Sequence, residues 1–234
     1  MIKDFDLLQR ANNDYTTIDL EHAEELAYRE LIDSIRYIPL GDECGVMGNI
    51  ANIITYKGRF YIQEEQFDRV FIYDDTGRCL KKIDNKGRGP GEYLRIESID
   101  INTEKEELML VDGMSDKLFF YDLDGNFKSI HSIRYFQTEN TLCLRDSVFL
   151  HISAPSQNFG NEGLYGYALV LSKGNENFLK GYRYLPLQVG YKGGGQIFKG
   201  YERSCYHPIY SDTIYQILSD TTYGPIFYFR FFSV

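Results

Sequence analysis

Two stretches of this chain, 48 positions apart, carry nearly the same message. Residues 61 to 83 read YIQEEQFDRVFIYDDTGRCLKKI and residues 109 to 131 read MLVDGMSDKLFFYDLDGNFKSIH. Superposed, Asp68 falls on Asp116, Tyr73 on Tyr121, Asp74 on Asp122 and Gly77 on Gly125. A repeat of about 40 to 50 residues, built from short strands and Asp-Gly turns, describes a β-propeller blade. Such a unit cannot bury both faces alone and must stack on copies of itself. The predicted fold is therefore all-β, a propeller of four-stranded antiparallel blades. It occupies residues 34–234 behind an N-terminal segment, 1–33, that is partly irregular or a short helix near 21 to 32.

Four units of about 48 residues can be laid along the chain. The first has strands near 50–56, 59–63, 69–73 and 78–83, with Lys57-Gly58 and Asp75-Thr76-Gly77 at turns. The second has strands near 94–101, 107–111, 117–121 and 126–131. The third is looser, with strands at 147–153, 165–172 and 178–185, and the fourth offers 195–201, 205–210, 212–218 and 225–232. Ahead of them, SIRYIPL (34–40) alternates well enough for one further strand that Pro39 confines to an edge.

Composition narrows the partners. Twenty Tyr and 16 Phe favour pleated sheet. A net charge of −9 leaves no basic stripe for a phosphate backbone, so nucleic acid is not an expected partner. No run approaches the ~20 apolar residues of a membrane helix, and no signal peptide is visible at the N-terminus. The cysteines 44, 79, 143 and 205 form no CxxC pair, which argues against zinc. Cys79 aligns with Phe127 in the repeat and is expected to be a small buried hydrophobe rather than a nucleophile or half of a disulfide.

The string KGRGPGEYLRIESIDI (86–101), followed by VDGMSDKLFFYDLDGNF, resembles the bacterial six-bladed propellers related to NHL-repeat proteins. SIRYIPL and the late SDTIYQI are also similar to that family's first strand and a later blade. The resemblance implies six blades, often closed by an N-terminal strand that completes the last one, and a periplasmic or cell-envelope location in a family that is often exported or lipid-anchored. Four units are fewer than six. The expectation is an incomplete six-bladed ring whose exposed strand edges favour self-association, with a closed four-bladed ring as the alternative.

Candidate sites are sparse, and no catalytic residue is assigned. Lys86, Gly87, Arg88, Gly89, Gly91, Glu92 and Tyr93 form the most unusual local string. Its glycines free the backbone for an anion-binding nest beside two cations, or simply make the crossing between blades, with Glu92 and Tyr93 locking the loop. It lacks the Gly-Lys-Ser/Thr ending of a Walker loop. Asp122, Asp124 and Gly125 read as a hairpin turn rather than a calcium loop. Asp68 and Asp116 recur where an Asp side chain caps its own turn. Glu64 and Asp112 are candidate channel acids for a metal. Dispersed histidines offer no hydrolase triad. The Tyr- and Gly-rich stretch 159–206 is a candidate aromatic surface. These readings lead to a non-enzymatic binding or scaffolding propeller contacting a peptide, protein or glycan through loops at one face, with no cofactor. The alternative is a metal-dependent lactonase-like or lyase-like enzyme with its site in the channel.

Overall fold

The computed structural model describes residues 9–11, 14–21, 30, 32–133, 137–145, 147–154, 158, 163–173, 177–183, 195–200, 203–209, 211–219 and 221–230. Most of the expected helix at 21 to 32 and the glycines Gly193 and Gly194 lie outside them.

The described strands form four antiparallel sheets, each a blade. The first contains β3 (Ile50–Tyr56), β4 (Arg59–Glu64), β5 (Arg69–Asp74) and β6 (Cys79–Ile83), in that spatial order. The second contains β7 (Ser98–Asn102), β8 (Glu107–Asp112), β9 (Lys117–Asp122) and β10 (Phe127–Ser132). The third is β11 (Asn140–Arg145), β12 (Val148–Ile152), β13 (Tyr167–Lys173) and β14 (Asn177–Arg183). The fourth is β15 (Gln196–Lys199), β16 (Ser204–His207), β17 (Thr213–Ile217) and β18 (Thr222–Arg230). The first strands pack in succession, β3 on β7, β7 on β11 and β11 on β15, as the inner strands of propeller blades do.

Strand alternation decides which face meets which neighbour. Tyr61, Val70, Ile72 and Ile83 of the first blade interlock with Ile99, Ile101, Leu110, Phe119 and Tyr121 of the second. The opposite face of the second blade, with Met109, Val111, Leu118 and Phe120, meets Cys143 and Phe149 of the third. Leu150, Ile152, Leu169 and Leu171 then meet Ile197, Tyr206, Tyr215 and Tyr223 of the fourth. Phe71 and Phe119 are wholly buried, and each contributes about 1.5–3 kcal/mol by leaving water.

One turn in each of the first two blades is built the same way. Asp74 Oδ1 accepts the amides of Thr76 and Arg78, and Asp122 Oδ1 those of Asp124 and Asn126. Gly77 and Gly125 supply the positive φ, at 87° and 79°. These are hairpin turns, as the spacing predicts.

On the first blade a strap covers the outer flank. The face carrying Ile62, Phe71 and Tyr73 corresponds by the repeat to the face of the second blade that packs on the first. Here Cys44 and Met47 cover it. Residues 34–40, expected as a strand, join no sheet. They run as a strap: Arg36 donates to Asp75 O (2.9 Å), Gly41 N to Gly77 O (2.7 Å) and the Tyr73 hydroxyl to Gly41 O (3.3 Å). The strap fits Gly77 so closely that a Cβ there would lie 2.1 Å from Pro39 O. Cys79 is not an isolated hydrophobe: it is bonded to Cys44, with the Cα atoms 5.9 Å apart. Alignment with Phe127 misleads because the corresponding flank of the second blade packs on the first blade, whereas the flank of the first meets the strap. The strap covers only the outer part of this flank. Ile53 is 51 % exposed, whereas its counterpart Ile101 is 2 % exposed.

The N-terminal segment reaches the other end of the chain. Residues β1 (Gln9–Arg10) and β2 (Thr16–Asp19) both pair in parallel with β18, and Asp19 holds Arg230 in an ion pair. β11 was absent from the units read off the sequence, which began the third blade at 147.

Candidate functional site

The crossing from the first blade to the second is closed on itself. Gly87 N donates to Tyr93 O (2.9 Å) and Tyr93 N to Asn85 O (3.1 Å). The Glu92 carboxylate folds back onto the Gly89 amide at 2.7 Å, and a Cβ on Gly87 would collide with it. Gly91, at φ 82°, makes the bend. The Tyr93 ring is buried, its hydroxyl donating to Asp68 O (2.8 Å) and accepting from Asn85 N (3.1 Å); burial raises its pKa. Lys86 is paired with Asp68, whereas Arg88 is exposed. The expected nest residues thus come together, but one of their amides already holds an internal carboxylate.

Glu64 and Asp112 occupy equivalent places at the ends of β4 and β8. Glu64 Oε1 accepts the amides of Gln66 (2.8 Å) and Phe67 (3.3 Å), and Oε2 takes Arg69 Nε at 2.9 Å. Asp112 Oδ1 accepts the amides of Met114 and Ser115, while Oδ2 accepts Leu94 N and the Ser115 hydroxyl, both at 2.7 Å. Each caps the turn of its own blade. Among the described residues no group of three or more His, Cys, Asp or Glu is arranged around a common point for a metal.

Asp68 and Asp116 take the left-handed backbone these turns need, at φ 57° and 53°. The Asp68 side chain does not cap its own turn. Its Oδ1 accepts Ile96 N at 3.1 Å and its Oδ2 meets Lys86, so it ties the turn to the crossing.

Inner-strand polar groups stitch the blades together. Asp100 on β7 accepts Cys143 N (2.7 Å) and faces Lys199 Nζ of β15 at 3.4 Å. That ammonium also donates to Ile101 O (3.0 Å) and Cys143 O (2.8 Å). Burial raises the Asp100 pKa against the pull of Lys199. His151 is wholly buried between the hydroxyls of Thr141 (2.9 Å) and Ser172 (2.8 Å), and burial pushes its pKa down to about 3. It is a neutral strut.

An open polar recess of about 370 Å³ lies beside the crossing. Asn49 and Ala51 border it from the start of the first blade, Glu65 and Gln66 from the β4–β5 turn, and Arg95 and Glu97 from the stretch leading into β7. Gln63 and Asp68 also line it. Gln63 is only 3 % exposed and donates Nε2 to Ile96 O at 3.1 Å. Glu97 lies 3.3 Å from Arg95 Nε. Its pKa is raised by burial, opposed by Arg95, and raised further by Asp68, Asp112 and Glu139. No single motif marks this recess in the sequence, since its walls come from three separated segments.

The chain belongs to the family described as Domain of unknown function (DUF4934), which matches residues 15–232. Among solved structures it is similar to a candidate exported protein from Bacteroides fragilis, at 20 % identity and a TM-score of 0.77. That match covers 92 % of this chain and 60 % of the other, so the chain spans about three-fifths of that protein's length. A DUF4221 member from Bacteroides vulgatus aligns at 11 % identity and a TM-score of 0.49, over 76 % of this chain and 57 % of its own. No curated protein matches the sequence. The described residues contain no helix long and apolar enough to cross a membrane.

Proposed function

We propose that this chain is a non-enzymatic binding propeller that holds an extended segment of a partner protein at the seam of its first two blades. The observation that carries this reading is the meeting of the polar recess with the inner strand of the first blade. Among the described residues β3 pairs with β4 alone, and it is exposed through Ile50–Ile53. Its other edge can hydrogen-bond to an added strand while side chains of that strand enter the recess. Turns and the crossing, rather than blade cores, would make the remaining contacts.

The resemblance to NHL-type propellers and the larger Bacteroides fragilis neighbour support placing these four blades in a six-bladed ring at the cell envelope or outside the cell. The Cys44–Cys79 bond supports the same location, because structural disulfides persist in oxidising compartments.

The reading is tested by hydrogen exchange on the purified chain with peptides retained from a library. Protection of the β3 amides is the expected result. Retained peptides that protect only sites far from β3, or a glycan library that protects β3 where peptides do not, would replace it.

A further inference from the structure

Resting on that reading, we infer that the recess accepts a cationic side chain, Lys or Arg, from the bound segment. Its walls carry three carboxylates against one base, Arg95. Glu65 is exposed and makes no ion pair among the described residues. Asp68 and Glu97 also line the recess, and Asp112 and Glu139 add their fields at Glu97. The bases are accounted for: Lys86 is held by Asp68, and Arg69 by Glu64. Arg95 is the base on Glu97, with a side chain 58 % exposed. An ion pair so exposed is worth little and is exchangeable for a better-placed cation.

The second observation is Gln63. Its side chain is almost wholly buried, and its amide nitrogen is spent on Ile96 O. Gln63 lines the recess, and its amide oxygen accepts no hydrogen bond from the described residues. An acceptor fixed in this way, in a wall that also carries carboxylates, suits a ligand that brings several N–H donors. A guanidinium or ammonium does so without an acceptor of its own. Glu97, held protonated more readily than an ordinary glutamate, gains a charge partner when the cation arrives. The groups facing Glu97 are Arg95, Asp68, Asp112 and Glu139, with the Gly113 backbone packed against its stem.

The test uses the whole chain and two probes of equal shape, N-acetyl-arginine methylamide and its neutral citrulline counterpart. Binding is followed by NMR shifts of the Gln66, Ile96 and Glu97 amides. The arginine probe is expected to bind at least tenfold more tightly than citrulline. Glu97→Gln and the exposed Glu65→Gln should each erase most of that preference, and Arg95→Gln should strengthen arginine binding severalfold. Preference should fade as pH drops through the carboxylate range. Equal binding of the two probes, no shift from either at 50-fold excess over the protein, or weakened arginine binding in Arg95→Gln would overturn the inference. Peptides that protect β3 without any preference for a basic residue would sink it and leave the binding reading standing. Loss of both would sink both.

Discussion

Removing the Cys44–Cys79 bond tests the claim that the strap holds the outer flank of the first blade. The bridge closes a loop of 35 residues, and freeing that loop restores chain entropy to the unfolded state worth about 4 kcal/mol. With an unfolding entropy of about 2.1 cal/mol/K per residue over 234 residues, the Cys44→Ala/Cys79→Ala protein should melt about 8 °C lower. Wild type in reductant should fall by a similar amount. Scanning calorimetry reads both, and hydrogen exchange at Phe71 to Tyr73 should show that the flank opens first. Melting temperatures within about 1 °C of the oxidised wild type would refute the reasoning, because the strap would then be held by its hydrogen bonds and packing alone. Phe71→Ala separates the two contributions: emptying a wholly buried aromatic site should cost about 3–5 kcal/mol with the bridge intact.

Three further results are expected. Glu97→Gln should be more stable than wild type at neutral pH. A raised folded-state carboxyl pKa means that the native state binds more protons, so wild-type stability falls as pH rises from the ordinary value of 4.5 through the raised one. The gain should vanish in melts run below pH 4.5, and a destabilised variant at neutral pH would contradict it. His151, with its pKa pushed down to about 3, should do the reverse: below its ordinary 6.5 the native state loses up to about 1.4 kcal/mol per pH unit, a slope that denaturant titrations should find flattened in His151→Gln. Gly58→Ala and Gly77→Ala both force a side chain to positive φ, about 1–2 kcal/mol. Only Gly77→Ala also strikes backbone, so it should melt clearly lower than Gly58→Ala; equal melting would deny the strap its place.

The repeat made the first two blades legible because their information is local: an Asp-Gly turn and an alternating run define a hairpin wherever they stand. The third blade was harder. TLCLR in β11 is short and follows no turn signal, and its place is fixed by β12 and by Ser98 and Asp100 on β7, which bind its amides. The strap and its disulfide were missed for the opposite reason. Comparing blades assumes equal surroundings, and the first blade's flank differs from that of the second. Lys199 and Asp100 stand 99 residues apart, a separation at which no spacing rule speaks. The crossing loop was conspicuous as a string of glycines, but whether its amides were free depended on where the Glu92 carboxylate went. The recess draws on three segments that only the stacking of blades brings together.

The pairing of β2 with β18 also sets an order of events during synthesis. Asp19 and Arg230 are 211 residues apart, so the first strands leave the ribosome long before their partner exists. At about 5–20 residues per second, the N-terminal segment waits roughly 10–40 s with its edge unpaired. Blades can form behind it one by one, yet the seam between β2 and β18 is sewn only after β18 has been made.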